Sequence, residues 1–185
     1  PVDLAGKRVG VVGTGATGIQ VIQTIADKVG HLKVFQRTPQ YIIPMRNPKY
    51  TDADRAAQKA GFAAMRERVQ RTFAGFDYDF HPRNVYEMSQ EEKRQVLEEL
   101  WADGSLAFWL TAFVEVFFDP KVNDEVSEFV REKMRQRLKD PKLAEKLIPT
   151  TYGFGTHRVP LETNYLEAYL RPNVEIVDVK ASPIV

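Results

Sequence analysis

Apolar and polar positions follow three different rhythms along the chain. At the start, Arg8–Val12 (RVGVV) is a short β-branched run of the kind that forms a buried strand. A glycine-rich turn follows, and then Ile19, Ile22, Ile25 and Ala26 recur on one face of a helix. Asp27–Gly30 reads as a turn and His31–Gln36 (HLKVFQ) as a second strand. Pro44, Asn47 and Pro48 break this pattern.

The second rhythm is helical and runs from about Thr51 to Ile148. Thr51 or Asp52 caps a helix reaching about Phe73. Ser89-x-x-Glu92 is a capping box whose helix carries Val96, Leu97, Leu100 and Trp101 and stops at Gly104. Ser105–Phe118 is apolar on nearly all sides and reads as a buried helix, its aromatic residues as packing. Asp119-Pro120 and Asp140-Pro141 each place a cap before a proline at the first helical position. Between them Val122, Val126, Phe129, Val130, Met134 and Leu138 mark one helix face, and the charge-rich Arg131–Lys139 reads as its solvated side. In the third section Thr150–Pro160 is a loop rich in glycine and aromatics, Glu162–Leu170 a short helix, and Val174–Val179 a strand beside the first two. Ser182–Val185 reads as the entry to another strand. The order predicts an α/β fold with a parallel sheet, residues 1–45 and 149–185, interrupted by a long all-helical insertion, residues 46–148.

The first turn carries candidate chemistry. Gly13, Thr14, Gly15, Ala16, Thr17 and Gly18 give G-x-G-x-x-G between a strand and a helix, the context in which this motif binds a dinucleotide. Gly13 allows the tight turn, Gly15 lets backbone approach a pyrophosphate, and Gly18 lets the helix lie close to the sheet. The helix start offers free N–H groups and a positive dipole end to phosphates. The second strand identifies the nucleotide. NAD-binding units end that strand with an acid that accepts from the ribose hydroxyls. Here it ends Gln36, Arg37, Thr38, Pro39. A guanidinium binds a 2′-phosphate that a carboxylate would repel, and Thr38 adds a hydroxyl, so the pattern reads as Rossmann-like and specific for NADP(H). Without the glycine motif Arg37 would be a solvated surface charge.

Composition narrows the partners. Net charge is +1, which gives no field for nucleic acid or an anionic membrane. There is no cysteine, hence no thiolate catalysis. Three widely spaced histidines give no metal signature. No apolar run approaches the ~20 residues of a membrane span, and a cytoplasmic location is expected. His81 beside Asp77 and Asp79 reads as loop polarity. A first residue of Pro1 and a strand-like end at Ile184–Val185 lead us to expect a cut segment.

The strings GKRVGVVGTGATGIQ, VFQRTPQY, KLIPTTYGFGTHRVPLETNYLEAY and PNVEIVDVKASPI resemble, in one collinear order, the NADPH-binding region of type I Baeyer–Villiger monooxygenases. The resemblance implies an enzyme with FAD in a separate domain of the same polypeptide. That enzyme takes hydride from NADPH, and its flavin peroxide inserts oxygen into a ketone, giving an ester or lactone. It implies that Gly13, Gly15 and Gly18 form the phosphate turn, with Thr14, Ala16, Thr17 and Gln20 beside it, and that Arg37 and Thr38 hold the 2′-phosphate. Arg158 matches the arginine over the flavin that stabilises the peroxide anion and the nicotinamide, a role for a permanently charged guanidinium. The family usually has a lysine before that arginine, contacting the 2′-phosphate; here His157 stands there. An imidazole gives a hydrogen bond rather than a full charge, so NADPH should be less sharply preferred over NADH than in lysine-bearing relatives, with the preference sharper at low pH.

The chain has no second G-x-G-x-x-G and no F-x-G-x-x-x-H-x-x-x-W fingerprint. An isolated fragment without the FAD domain is therefore expected not to oxidise ketones. Two other readings stand beside this one. One is an N-hydroxylating or sulfur-oxidising flavin monooxygenase, against which the insertion and Arg158 speak. The other is a non-catalytic NADP-binding module.

Overall fold

The computed structural model describes residues 2–184. Strand β1 (Arg8–Val12) pairs in parallel with β2 (His31–Gln36), which pairs in parallel with β5 (Val174–Asp178), giving the order β1-β2-β5. Helix α1 (Ala16–Ile25) connects the first two strands and buries Ile19 and Ile22 against Leu32 and Val34. Asn173 Nδ2 donates to the carbonyls of Ala26 and Val29, at 2.9 and 3.0 Å, so the end of α1 is tied to the entry of β5.

The expectation of a buried β1 is corrected. Val9 and Val11 are half-buried, but Arg8, Gly10 and Val12 are exposed, Val12 by 75%. The strand lies at the sheet edge, and its cover lies on one face.

A second, two-stranded parallel ladder joins β3 (Ile43–Pro44) to β4 (Leu161–Glu162). The Met45 N–H extends it by donating to Glu162 O at 2.7 Å. The chain thus leaves for the helical stretch and returns from it at adjacent points. Between them lie α2 (Asp52–Val69), α3 (Gln90–Asp103), α4 (Ala107–Thr111), α5 (Pro120–Leu138) and α6 (Pro141–Leu147); α7 (Tyr165–Ala168) follows β4. The capping boxes at Thr51/Asp54 and Ser89/Glu92 are both formed. Asp119 and Asp140 cap α5 and α6 with proline next in line. The predicted face of α5 is buried at all six positions.

Four expectations are corrected here. Ser105–Phe118 is not one buried helix: α4 ends at Thr111, Phe113 is extended, and a 3-10 turn spans Val114–Phe117. The run Phe113–Phe118 is aromatic and β-branched, poor helix-forming material, and Phe117 and Phe118 are exposed. Helix α2 stops at Val69 and buries no residue. The charges of α5 are not all solvated: Arg131 and Arg137 bond to other elements, as described below. At the C-terminus Ser182–Ile184 form no strand, and Val185 lies outside the described residues. The buried side chains of the helices and of the α1–sheet layer form one continuous cluster.

Candidate functional site

The glycine turn joins β1 to α1. Gly13 has φ +93°, in the region that glycine alone adopts without strain, and its N–H donates to Phe35 O at 2.9 Å. A Cβ on Gly18 would meet Gly13 O at 2.4 Å, so the first turn of α1 sits directly on the glycine turn. Nothing lies within 4 Å of a Cβ placed on Gly15. Gly15 is the N-cap of α1; no side chain caps the helix and no acid stands in its first turn. The N–H groups at Ala16 and Thr17 have no acceptor among the described residues, an arrangement suited to a pyrophosphate. Gln20 is exposed one turn further on.

Thr14 is 4% exposed and its hydroxyl donates to Thr38 O at 3.1 Å. This bond pins the glycine turn to the end of β2, where Arg37 is exposed and Thr38 half-buried. Arg37 has no ion-pair partner among the described residues. The first motif and the strand end are thus brought together. The hydroxyl of Thr14 serves that junction, leaving its backbone N–H for a ligand.

The loop at 150–160 is fixed to the same strand end. Tyr152 donates its hydroxyl to Pro39 O at 2.7 Å and also lies 3.3 Å from Gln40 Oε1. Burial pushes this phenol up to about 12, so it stays a donor. Tyr41 donates in turn to Tyr152 O at 3.1 Å. The ring of His157 lies 4.5 Å from that of Tyr152, on the loop that Tyr152 anchors to Pro39. Arg158 is exposed and makes no hydrogen bond or ion pair among the described residues.

Sequence reasoning missed what holds the loop. Helix α5 presents Asn123, Ser127 and Arg131, four residues apart on one face, to the loop backbone. Asn123 Nδ2 donates to Phe154 O at 2.8 Å, Ser127 Oγ accepts from the Phe154 N–H at 2.8 Å, and Arg131 Nε donates to Pro149 O at 2.9 Å. Ser127 Oγ also donates to Asn123 Oδ1 at 3.1 Å, so the row is internally satisfied. The Arg131 guanidinium lies over the Tyr41 ring, 5.6 Å from its centre. One turn and a half further on, Arg137 joins the fully buried carboxylate of Glu162 to Glu167, with Nη2 at 3.1 Å from Glu162 Oε2 and 2.6 Å from Glu167 Oε2. The i, i+4 spacing of polar residues on the border of an apolar face was the available signal.

No family model matches the chain. Similarity to individual proteins extends from end to end. The chain is 56% identical over 184 residues to an acetone monooxygenase (methyl acetate-forming) of Gordonia sp. (strain TY-5), covering 99% of this chain and 34% of that protein. It is 43% identical over 185 residues to the cyclopentanone 1,2-monooxygenase of Comamonas sp. (strain NCIMB 9872), with coverage of 99% and 34%. A phenazine N-monooxygenase of Lysobacter antibioticus is 35% identical across 100% of this chain and 34% of its own length. Among solved structures, an oxidized steroid monooxygenase bound to NADP superimposes with a TM-score of 0.94 at 43% identity, over 100% of this chain and 35% of that one. The chain thus spans about a third of the length of the proteins it matches. Its homologues are flavin monooxygenases, and those acting on acetone and cyclopentanone are Baeyer–Villiger enzymes to a segment of which this chain corresponds. The phenazine relative spans the helical stretch and the loop as well, so these features do not by themselves separate ketone from nitrogen oxygenation.

Proposed function

We propose that this chain is the NADPH-binding segment of an FAD-dependent Baeyer–Villiger monooxygenase, a Rossmann-like unit of residues 1–45 and 149–185 interrupted by the helical insertion 46–148. The observation that carries the proposal is the uncapped start of α1 at Gly15, fixed through Thr14 to the strand end bearing Arg37. A pyrophosphate fits the first feature and a ribose 2′-phosphate the second. The ligand would run from the N–H groups at Ala16, Thr17 and Gly18 to Arg37 and Thr38, with His157 at the phosphate end and Gln20 at the margin. Arg158, exposed and permanently charged, would complete the nicotinamide side against the FAD domain of the same polypeptide. FAD supplies the redox chemistry linking NADPH, O2 and the ketone; no residue of this chain is assigned to hold it. The residues here bind and orient the dinucleotide, and the isolated chain is expected to have no ketone-oxidising activity. A cytoplasmic setting suits an NADPH-using enzyme; among the described residues no helix is long and apolar enough to cross a membrane.

Calorimetric titration with 2′,5′-ADP and with 5′-AMP tests the proposal. A charged, paired phosphate contact is worth ~1.5–3 kcal/mol, so tenfold or greater preference for 2′,5′-ADP is expected and should be lost in Arg37→Ala. Equal weak binding of both nucleotides by the unaltered chain would remove the assignment. A second reading, oxygenation at nitrogen, is favoured by the phenazine relative. Product analysis of the complete enzyme offered a small ketone and a phenazine separates the two.

A further inference from the structure

A cavity of about 210 Å³ lies at the C-terminal end of β2, and its lining includes Arg37, Thr38, Lys146 and Lys180. Three cations thus come from three elements: the end of β2, the last turn of α6 and the turn after β5. None of them forms an ion pair among the described residues. Two acids, Glu145 and Asp178, share the wall. Asp178 Oδ1 is engaged by the Lys180 N–H at 2.8 Å in the turn after β5. Thr150 and Thr151 also line it.

Gln36 gives the cavity a built floor. It is 5% exposed, its Nε2 donates to Lys146 O at 2.6 Å, and its Oε1 has no partner among the described residues. The bond fixes the backbone of Lys146 against β2, one residue from Arg37. A buried acceptor left without a donor marks a place where a further group is expected, and a lysine ammonium drawn inward by an anion can supply that donor.

We infer that Lys146 and Lys180 are further phosphate-binding residues of this site and that, with Arg37 and Thr38, they take the dianionic phosphomonoester on the ribose 2′ carbon. The inference rests on the NADPH reading above and deepens it. It also supplies cationic charge that His157 does not carry when neutral. Arg37 forms the paired contact, and the two ammonium groups add point charges from the α6 and β5 sides.

The test is titration of the whole chain with 2′,5′-ADP, 5′-AMP and inorganic phosphate, for the unaltered protein and for Lys146→Gln, Lys180→Gln, Lys146→Arg and Lys180→Arg. Each glutamine variant should weaken 2′,5′-ADP about threefold to tenfold, leave 5′-AMP unchanged and flatten the salt dependence, whereas the arginine variants should retain binding. Thermal midpoints identify any variant that loses its fold, and the arginine forms then decide. Should both glutamine variants bind 2′,5′-ADP as before while Arg37→Ala loses it, the inference fails and the NADPH reading stands. If the unaltered chain does not prefer 2′,5′-ADP over 5′-AMP, the reading itself fails. Inorganic phosphate binding as tightly as 2′,5′-ADP, with the same loss in the glutamine variants, would assign the cavity to free phosphate and overturn the nucleotide assignment.

Discussion

The hydroxyl of Thr14 connects two parts of the site through a single bond to Thr38 O. Valine keeps the shape and removes the donor. Thr14→Val should cost about 1 kcal/mol of stability in urea titration, and it should weaken 2′,5′-ADP more than it weakens 5′-AMP, since the bond positions the strand end. Thr14→Ser should restore both. Arg137 answers a different demand. It compensates a Glu162 carboxylate with no side-chain exposure, and Glu162 also accepts from the Tyr165 N–H. Arg137→Met leaves that charge buried and unpaired, and a loss of about 3–5 kcal/mol is expected. Pairing it with Glu162→Met should recover much of the loss, because the uncompensated charge is then gone.

Among the elements, α5 is the organiser and α2 the outlier. Ser127→Ala removes the acceptor of a buried Phe154 N–H, and about 1–3 kcal/mol of destabilisation is expected. Helix α2 has a complete N-terminal cap but no buried residue. Most helical stability in proteins comes from tertiary packing of one face, which α2 lacks, so its amides should exchange with deuterium much faster than those of α5. The cap of α3 carries a pH dependence. Hydrogen bonds from Arg83, and from the backbone and side chain of Ser89, lower the Glu92 carboxyl to about 2. A lowered carboxyl contributes fully above its ordinary value and loses that contribution as pH falls toward about 2. Helicity should decline over that range, more steeply than in Glu92→Gln, and the difference should shrink in high salt. Such caps were legible in the chain because each is local: Ser89 and Glu92, or Asp119 and Pro120, lie within one turn. The extent of α4 was not, because an unbroken apolar run such as Ser105–Phe118 has no period to read. Nor was the Arg137–Glu162–Glu167 cluster, whose members come from α5, β4 and α7 and meet only when these three elements pack together.

For the molecule as a whole, the glycine turn and the Arg37 strand end were visible because one strand–helix–strand unit contains both. The Tyr152–Pro39 bond, the α5 row and the Lys146–Gln36 contact were hidden by more than a hundred or by tens of intervening residues. The exposure of β1 was likewise beyond local pattern, since it depends on which strand lies next to it. The parallel pairing of β2 with β5 has a further consequence, in time rather than in space. Leu32 is made well before its partner Val174, with the whole helical stretch between them. On the ribosome, β2 must wait with an open edge while all the helices between are synthesised, and an open edge templates pairing with other chains. A chain truncated just before Val174 should therefore aggregate where one that includes β5 does not, as sedimentation of freshly translated protein would reveal.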